Sequence, residues 1–155
     1  MDKDTRPSIF GDEAIKALTK GYRELNDAVS STLGPKGKNV VIFRGIYNTP
    51  LTTKDGVTVA RAFSTQGRFE KIGVQLAKDI SGRSNDLAGD GTTSSTLLGY
   101  AILSEGLKLI SKGAQPVWVK KGMEEAVEKT LKMLDGLSIN VRTEQSIKNI
   151  ASISA

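Results

Sequence analysis

Gly89-Asp90-Gly91-Thr92-Thr93-Ser94-Ser95 lies between two stretches of helical periodicity. Upstream, Arg68 to Asn85 places Phe69, Ile72, Leu76 and Ile80 at helical spacing, with Gly73 and Ala77 small enough for close packing beside them. Downstream, Leu97, Leu98, Ala101, Ile102 and Leu109 resume the pattern, so a second helix is expected from Thr92 to about Lys112. The stretch is therefore a glycine turn that ends one long helix and starts another.

A helix start is also a place for anions. Its backbone N–H groups point outward at the positive end of the helix dipole, and the hydroxyls of Thr92, Thr93 and Ser94 can add hydrogen bonds to phosphate oxygens. Asp90 would repel a polyphosphate unless a cation lay between them. Magnesium prefers one or two carboxylates together with phosphate oxygens and water, which makes Asp90 a candidate metal ligand. The alternative is that Asp90 only caps the helix.

Working outward toward the N-terminus, Thr53-Lys54-Asp55-Gly56-Val57 supplies a lysine able to neutralise phosphate charge and an acid able to orient water. The competing reading makes Lys54 and Asp55 turn residues. Two short β-branched runs, Asn39 to Phe43 and Leu51-Thr52-Thr53, flank the turn material Asn48-Thr49-Pro50 and predict a hairpin. Before them, Ile15, Leu18, Tyr22, Leu25 and Val29 step along one face of a helix from Asp12 to about Thr32. That helix is broken at Thr32-Leu33-Gly34-Pro35-Lys36-Gly37, where glycine and proline leave the backbone open to a close ligand or simply end the helix.

Toward the C-terminus, Pro116 suits a first helical turn, and Met123, Val127, Leu131 and Leu134 predict a buried stripe closed by a cap at Gly136. A polar stretch from Ser138 to Thr143 leads to a weak helix from Glu144 to Ile150. The expected fold is mainly α, four main helices burying their stripes against one another beside a small β-hairpin.

Composition narrows the chemistry. The chain has 155 residues, no cysteine and no histidine, which removes disulfides, thiolate chemistry, the usual zinc sites and a Ser-His-Asp triad. Lysine and arginine exceed aspartate and glutamate by 22 to 17, but no basic run interleaves with aromatics, so nucleic acid is not the expected partner. The charged opening Met1 to Arg6 is unlike a secretory signal, and no run has the length of a membrane span, which gives a cytoplasmic expectation. Neither a Walker A pattern nor a complete G-x-G-x-x-G is present.

In their order and spacing, Thr32 to Gly37 (TLGPKG), Thr53 to Val57 (TKDGV) and Asp90 to Thr93 (DGTT) together resemble the group I chaperonins, the GroEL family. Lys54 favours this group over the group II chaperonins. The resemblance covers nearly the whole chain. It departs at Ala62 to Arg68, which lack the usual acids, at Gln115, and at Ser94, where the family usually has threonine.

The resemblance implies that residues 1–136 are the N-terminal part of an ATP-binding equatorial domain and that 137–155 begin an intermediate domain. The apical domain and the returning equatorial segment would be absent, leaving half of a nucleotide site. It implies ATP and Mg2+, with K+ as a candidate further ion. Thr32, Leu33, Gly34 and Pro35 would contact nucleotide, Lys54 would lie near its phosphates, and Asp55 would help to position the hydrolytic water. Asp90 would hold magnesium, while Gly91, Thr92, Thr93 and Ser94 would bind phosphates.

Its implied partners are non-native polypeptides, other subunits in seven-membered rings, one or two per assembly, and a co-chaperonin lid bound through the apical domain. The implied setting is bacterial, or phage-infected bacterial, cytoplasm. Function is then that of an ATP-dependent chaperone. The rival expectations are an inactive module that associates with other chaperonin subunits and a basic module for acidic polymers.

Overall fold

A computed structural model describes residues 7–154. The charged opening from Met1 to Arg6, which argued against a secretory signal, lies outside the described residues. The chain forms two compact units, residues 1–104 and residues 105–155.

The first unit begins with helix α1, Gly11–Ser30. Tyr22, Leu25 and Val29 are buried, whereas Ile15, the first residue of the expected stripe, is exposed. The helix ends two residues before the sequence expectation, because Thr32 and Leu33 turn their N–H groups to the carbonyls of Val29 (3.0 Å) and Ser30 (3.1 Å) and tighten the last turn. Strands β1 (Val40–Ile42) and β2 (Leu51–Thr53) then pair antiparallel, with Val40 opposite Thr53 and Ile42 opposite Leu51. This is the expected hairpin.

Next comes a short helix, α2, Gly56–Ala62, where the sequence pattern marked no element. Its β-branched valines and threonine are mediocre helix formers. Tertiary contacts and a cap compensate: Val59 and Ala60 are buried, and the Lys78 ammonium donates to the Arg61 carbonyl at the far end (3.0 Å).

Helix α3, Glu70–Ala88, starts two residues later and ends three residues later than expected. Its buried face corrects the sequence reading. Ile72, Leu76 and Ile80 are 53%, 48% and 37% exposed, while Gly73, Val74, Ala77 and Ser81 face inward. Glycine selects that face. A Cβ placed on Gly73 would lie 1.9 Å from the Leu18 carbonyl oxygen, and one on Gly21 would lie 1.9 Å from that of Glu70, so α1 and α3 touch backbone to backbone. Lys20 and Glu70 pair at 3.2 Å beside this crossing.

Helix α4, Thr92–Ser111, follows the turn at Gly89, whose φ of 70° closes α3 through an N–H bond to the Asn85 carbonyl (2.8 Å). In the first unit Leu97, Tyr100 and Leu103 pack against the core formed by Tyr22, Leu25, Val29, Val59, Ala60, Val74 and Ala77. The buried Tyr22 hydroxyl donates to the Thr96 carbonyl at 3.1 Å, tying α1 to α4.

The second unit contains the last turns of α4 with helices α5, Pro116–Leu137, and α6, Glu144–Ser154. Gly106 of α4 is buried, and a Cβ there would meet the Met123 methyl at 3.3 Å. No residue of α5 is buried; of the expected stripe, Val127, Leu131 and Leu134 are exposed and Met123 is half-buried. Gly136 is inside α5 and does not cap it; Ser138 follows the helix and turns its N–H to the Leu134 carbonyl (2.9 Å). The six helices among the described residues are the four main helices and the final helix expected, with α2 in addition, and none is long and apolar enough to cross a membrane.

Candidate functional site

Three chain segments meet beside Gly56, the first residue of α2. A Cβ there would lie 2.0 Å from the Thr93 hydroxyl oxygen and 3.5 Å from a Val29 methyl, which leaves room for hydrogen alone. Through this contact the start of α2, the start of α4 and the end of α1 come together in the first unit.

At the start of α2, Asp55 accepts hydrogen bonds from the α2 backbone. Its Oδ1 receives the Val57 N–H (3.3 Å) and its Oδ2 the Thr58 N–H (2.9 Å), while the Thr58 hydroxyl donates a short bond to the same Oδ2. The Asp55 N–H in turn donates to the Thr53 hydroxyl at 3.0 Å, fastening the end of β2 to the helix cap. The Thr58 hydroxyl, above all, holds the Asp55 carboxyl below the ordinary aspartate range; partial burial opposes this, and the two N–H groups and the Arg61 charge reinforce it.

A carboxylate with a depressed folded-state pKa stabilises the fold above its unfolded value of about 3.9 and loses that contribution as pH falls through the folded value. Asp55→Ala is therefore expected to cost about 1 kcal/mol at neutral pH, the usual worth of an N-cap. In urea melts the gap from the parent chain should close in acid, below the folded pKa of Asp55. A gap that persists unchanged there would contradict the cap assignment.

At the start of α4, Gly91 has a φ of 76°, and its N–H donates to Asp90 Oδ1 at 2.6 Å. The Asp90 carbonyl accepts from the Ser84 hydroxyl (3.2 Å), joining the end of α3 to this turn. The hydroxyls that read as equivalent in the sequence occupy different settings. Thr92 is buried, Thr93 faces Gly56, Ser94 is exposed, and the Ser95 hydroxyl donates back to the Thr92 carbonyl (3.0 Å).

After α1, the Thr32 hydroxyl donates to the Val29 carbonyl at 2.8 Å. Gly34 has a φ of 71°, and the N–H groups of Gly37 and Lys38 close the loop onto the carbonyls of Gly34 (2.9 Å) and Ser31 (2.7 Å). A Cβ on Gly37 would lie 2.2 Å from the Thr32 carbonyl oxygen, so only glycine permits so tight a loop. Leu33, Gly34 and Pro35 in this loop are exposed, as is Lys54 after β2.

Sequence reasoning did not single out Gly56 as a contact, nor Thr58 at all. The signal for Thr58 was present, since an acid followed three residues later by a hydroxyl residue suits an N-cap that accepts from its own first turn.

Residues 25–155 match the family model of the TCP-1/cpn60 chaperonins. The chain belongs to that family. It is 47% identical over 146 residues to "Chaperonin GroEL 1" of Protochlamydia amoebophila (strain UWE25), a match covering 94% of this chain and 26% of that relative. This chaperonin chain thus spans about a quarter of the curated relative's length.

Among solved structures it is similar to a group III chaperonin in the open state, with a TM-score of 0.73 and 26% identity over 83% of this chain and 25% of the other. It is also similar to the chaperonin gp146 from the bacteriophage EL 2 (Pseudomonas aeruginosa), solved in the presence of ATP-BeFx, with a TM-score of 0.71 and 28% identity over 86% of this chain and 23% of the other. The mainly helical fold with one small hairpin, expected from the sequence, is a chaperonin fold.

Proposed function

We propose that this chain supplies part of the nucleotide site of an ATP-dependent chaperonin that assists the folding of non-native polypeptides. The observation that supports the reading is the contact of Gly56 with Thr93 and Val29, which sets the TKDGV and DGTT segments against the end of α1, three residues before TLGPKG begins. A related chaperonin was solved in the presence of ATP-BeFx, which supports a nucleotide as the ligand.

In this reading the α4 start, with Gly91, Thr92, Thr93 and Ser94, takes the phosphates on its N–H groups and hydroxyls. The backbone of Thr32, Leu33, Gly34 and Pro35 borders the nucleotide from the other side, and Lys54 offsets phosphate charge. Asp55 orients the attacking water as a hydrogen-bond acceptor. Its depressed pKa makes it a poor store for a proton. The water oxygen bonds to the γ-phosphorus while the bond from that phosphorus to the bridging oxygen breaks. The bridging oxygen keeps the electron pair on ADP, and the proton leaves with inorganic phosphate or solvent.

Asp90 is the residue that would hold Mg2+. One carboxylate beside a phosphate site fits a magnesium that takes its other ligands from phosphate oxygens and water. Consistent with that, among the described residues no three acidic or imidazole side chains gather as they would around a metal held by protein alone. When bound, the ion would neutralise charge developing on the phosphates.

Residues 1–136 are proposed as equatorial and 137–155 as the start of an intermediate domain, within rings of seven subunits working on unfolded clients under a co-chaperonin lid in a bacterial cytoplasm. The exposed apolar faces of α3 and of α5 favour a second reading, in which the chain joins other chaperonin subunits without turning over ATP.

Calorimetric titration of the full-length protein with ATP, with and without Mg2+, distinguishes them. Saturable binding that tightens with Mg2+, coupled to recovery of a chemically unfolded client enzyme, is expected from the first reading. Subunit association with no ATP binding would replace it by the second.

A further inference from the structure

We propose that Thr58 is a positioning residue for ATP hydrolysis, its hydroxyl fixing which oxygen of the Asp55 carboxylate is open to the attacking water. The proposal rests on the assignment of Asp55 as the water-orienting group.

The geometry is an accounting of acceptor sites. A carboxylate offers about four lone-pair directions, two on each oxygen. Oδ2 already accepts from both the N–H and the hydroxyl of Thr58, and Oδ1 accepts from the Val57 N–H alone. The remaining direction is on Oδ1, so a water held by Asp55 has one place to sit. Removing the Thr58 hydroxyl while keeping its N–H opens a second direction on Oδ2, so that a water has two places to sit on a carboxylate still held by the Val57 and Thr58 N–H groups.

The surrounding contacts make that selection matter. Gly56, next in the chain after Asp55, is pressed against Thr93 of the α4 start, and the α2 far end is held by Lys78. The backbone that carries Asp55 is thus located at both ends of α2, and the hydroxyl of Thr58 decides which carboxylate oxygen keeps an open direction for water. Misorienting a group that positions a reactant lowers the rate of the chemical step without weakening substrate binding.

The test compares Thr58→Val, Thr58→Ser and Asp55→Asn in the full-length protein by steady-state ATP turnover. Sedimentation is used to verify assembly. Valine keeps the β-branched shape and the N–H but loses the hydroxyl; serine keeps the hydroxyl. Thr58→Val is expected to lower kcat by up to about a hundredfold with KM for ATP unchanged, the loss that misplacement of a positioning group can cause, and Thr58→Ser to restore most of it.

Unchanged kcat in Thr58→Val, or equal losses in Thr58→Val and Thr58→Ser, would overturn the proposal. So would a parallel change in kcat and KM. Should Thr58→Val not assemble, Thr58→Ala provides the same comparison with serine. If Asp55→Asn keeps full turnover, the assignment of Asp55 is what fails; if Asp55→Asn is inactive while Thr58→Val is normal, only the role of Thr58 fails.

Discussion

Replacing Gly73 by alanine is expected to cost about 3 kcal/mol of stability, the upper range for overpacking a filled contact, and thus a large part of the roughly 5–15 kcal/mol that holds a typical domain together. The added methyl would lie 1.9 Å from the Leu18 carbonyl oxygen and 2.9 Å from the Tyr22 nitrogen, both backbone atoms of α1. Backbone cannot rotate aside as a side chain can. The two helices must separate, and Tyr22, Leu25, Val74 and Ala77 lose their packing together.

Gly73 is not required for its dihedral angles, since it lies inside α3 and its φ is not positive. Gly82 of the same helix provides the control, because a Cβ there meets nothing within 4 Å. Gly82→Ala should stabilise by about 0.5–1 kcal/mol through the helix preference of alanine alone. Urea melts of the 155-residue chain followed by helical circular dichroism should show the two midpoints moving in opposite directions; similar shifts of one sign would contradict the close crossing.

The second large effect concerns Asp90. Asp90→Ala in the full-length protein is expected to reduce Mg2+-dependent ATP turnover by two orders of magnitude or more, since losing a metal-ion contact that stabilises transition-state charge costs several kcal/mol and each 1.4 kcal/mol is about tenfold. Asp90→Asn separates charge from shape. Asparagine can still accept the Gly91 N–H that Asp90 Oδ1 now receives at 2.6 Å, and it leaves the backbone carbonyl available to the Ser84 hydroxyl. If Asp90 serves the metal, the asparagine variant should be nearly as inactive as the alanine one. Recovery of turnover in Asp90→Asn would assign the residue to the turn before α4.

Most of the helices were legible because apolar residues at helical spacing leave a local record. The period of Tyr22, Leu25 and Val29 marked α1, and Pro116 marked the start of α5. The hairpin was legible from its β-branched runs and the turn material between them. Helix α2 left no such record, since seven residues make about two turns and its Val-Thr-Val core resembles a strand. It exists because Asp55 caps it and because Val59 and Ala60 find a buried surface.

The α3 face was misread for a related reason. Periodicity ranks a face by the size of its apolar residues, but the α1 crossing rewards the absence of side chains at Gly21 and Gly73. Ile72, Leu76 and Ile80 were therefore left outside.

By itself the order of residues determined where the helices other than α2 run, where glycines permit turns, and which short segments carry acids and hydroxyls, because these depend on neighbours a few residues apart. Tertiary structure decided which helix faces are buried and that Gly56, Thr93 and Val29 meet. Such contacts join residues far apart in the chain, and their geometry follows from how closely two backbones can approach, a quantity that no local pattern encodes.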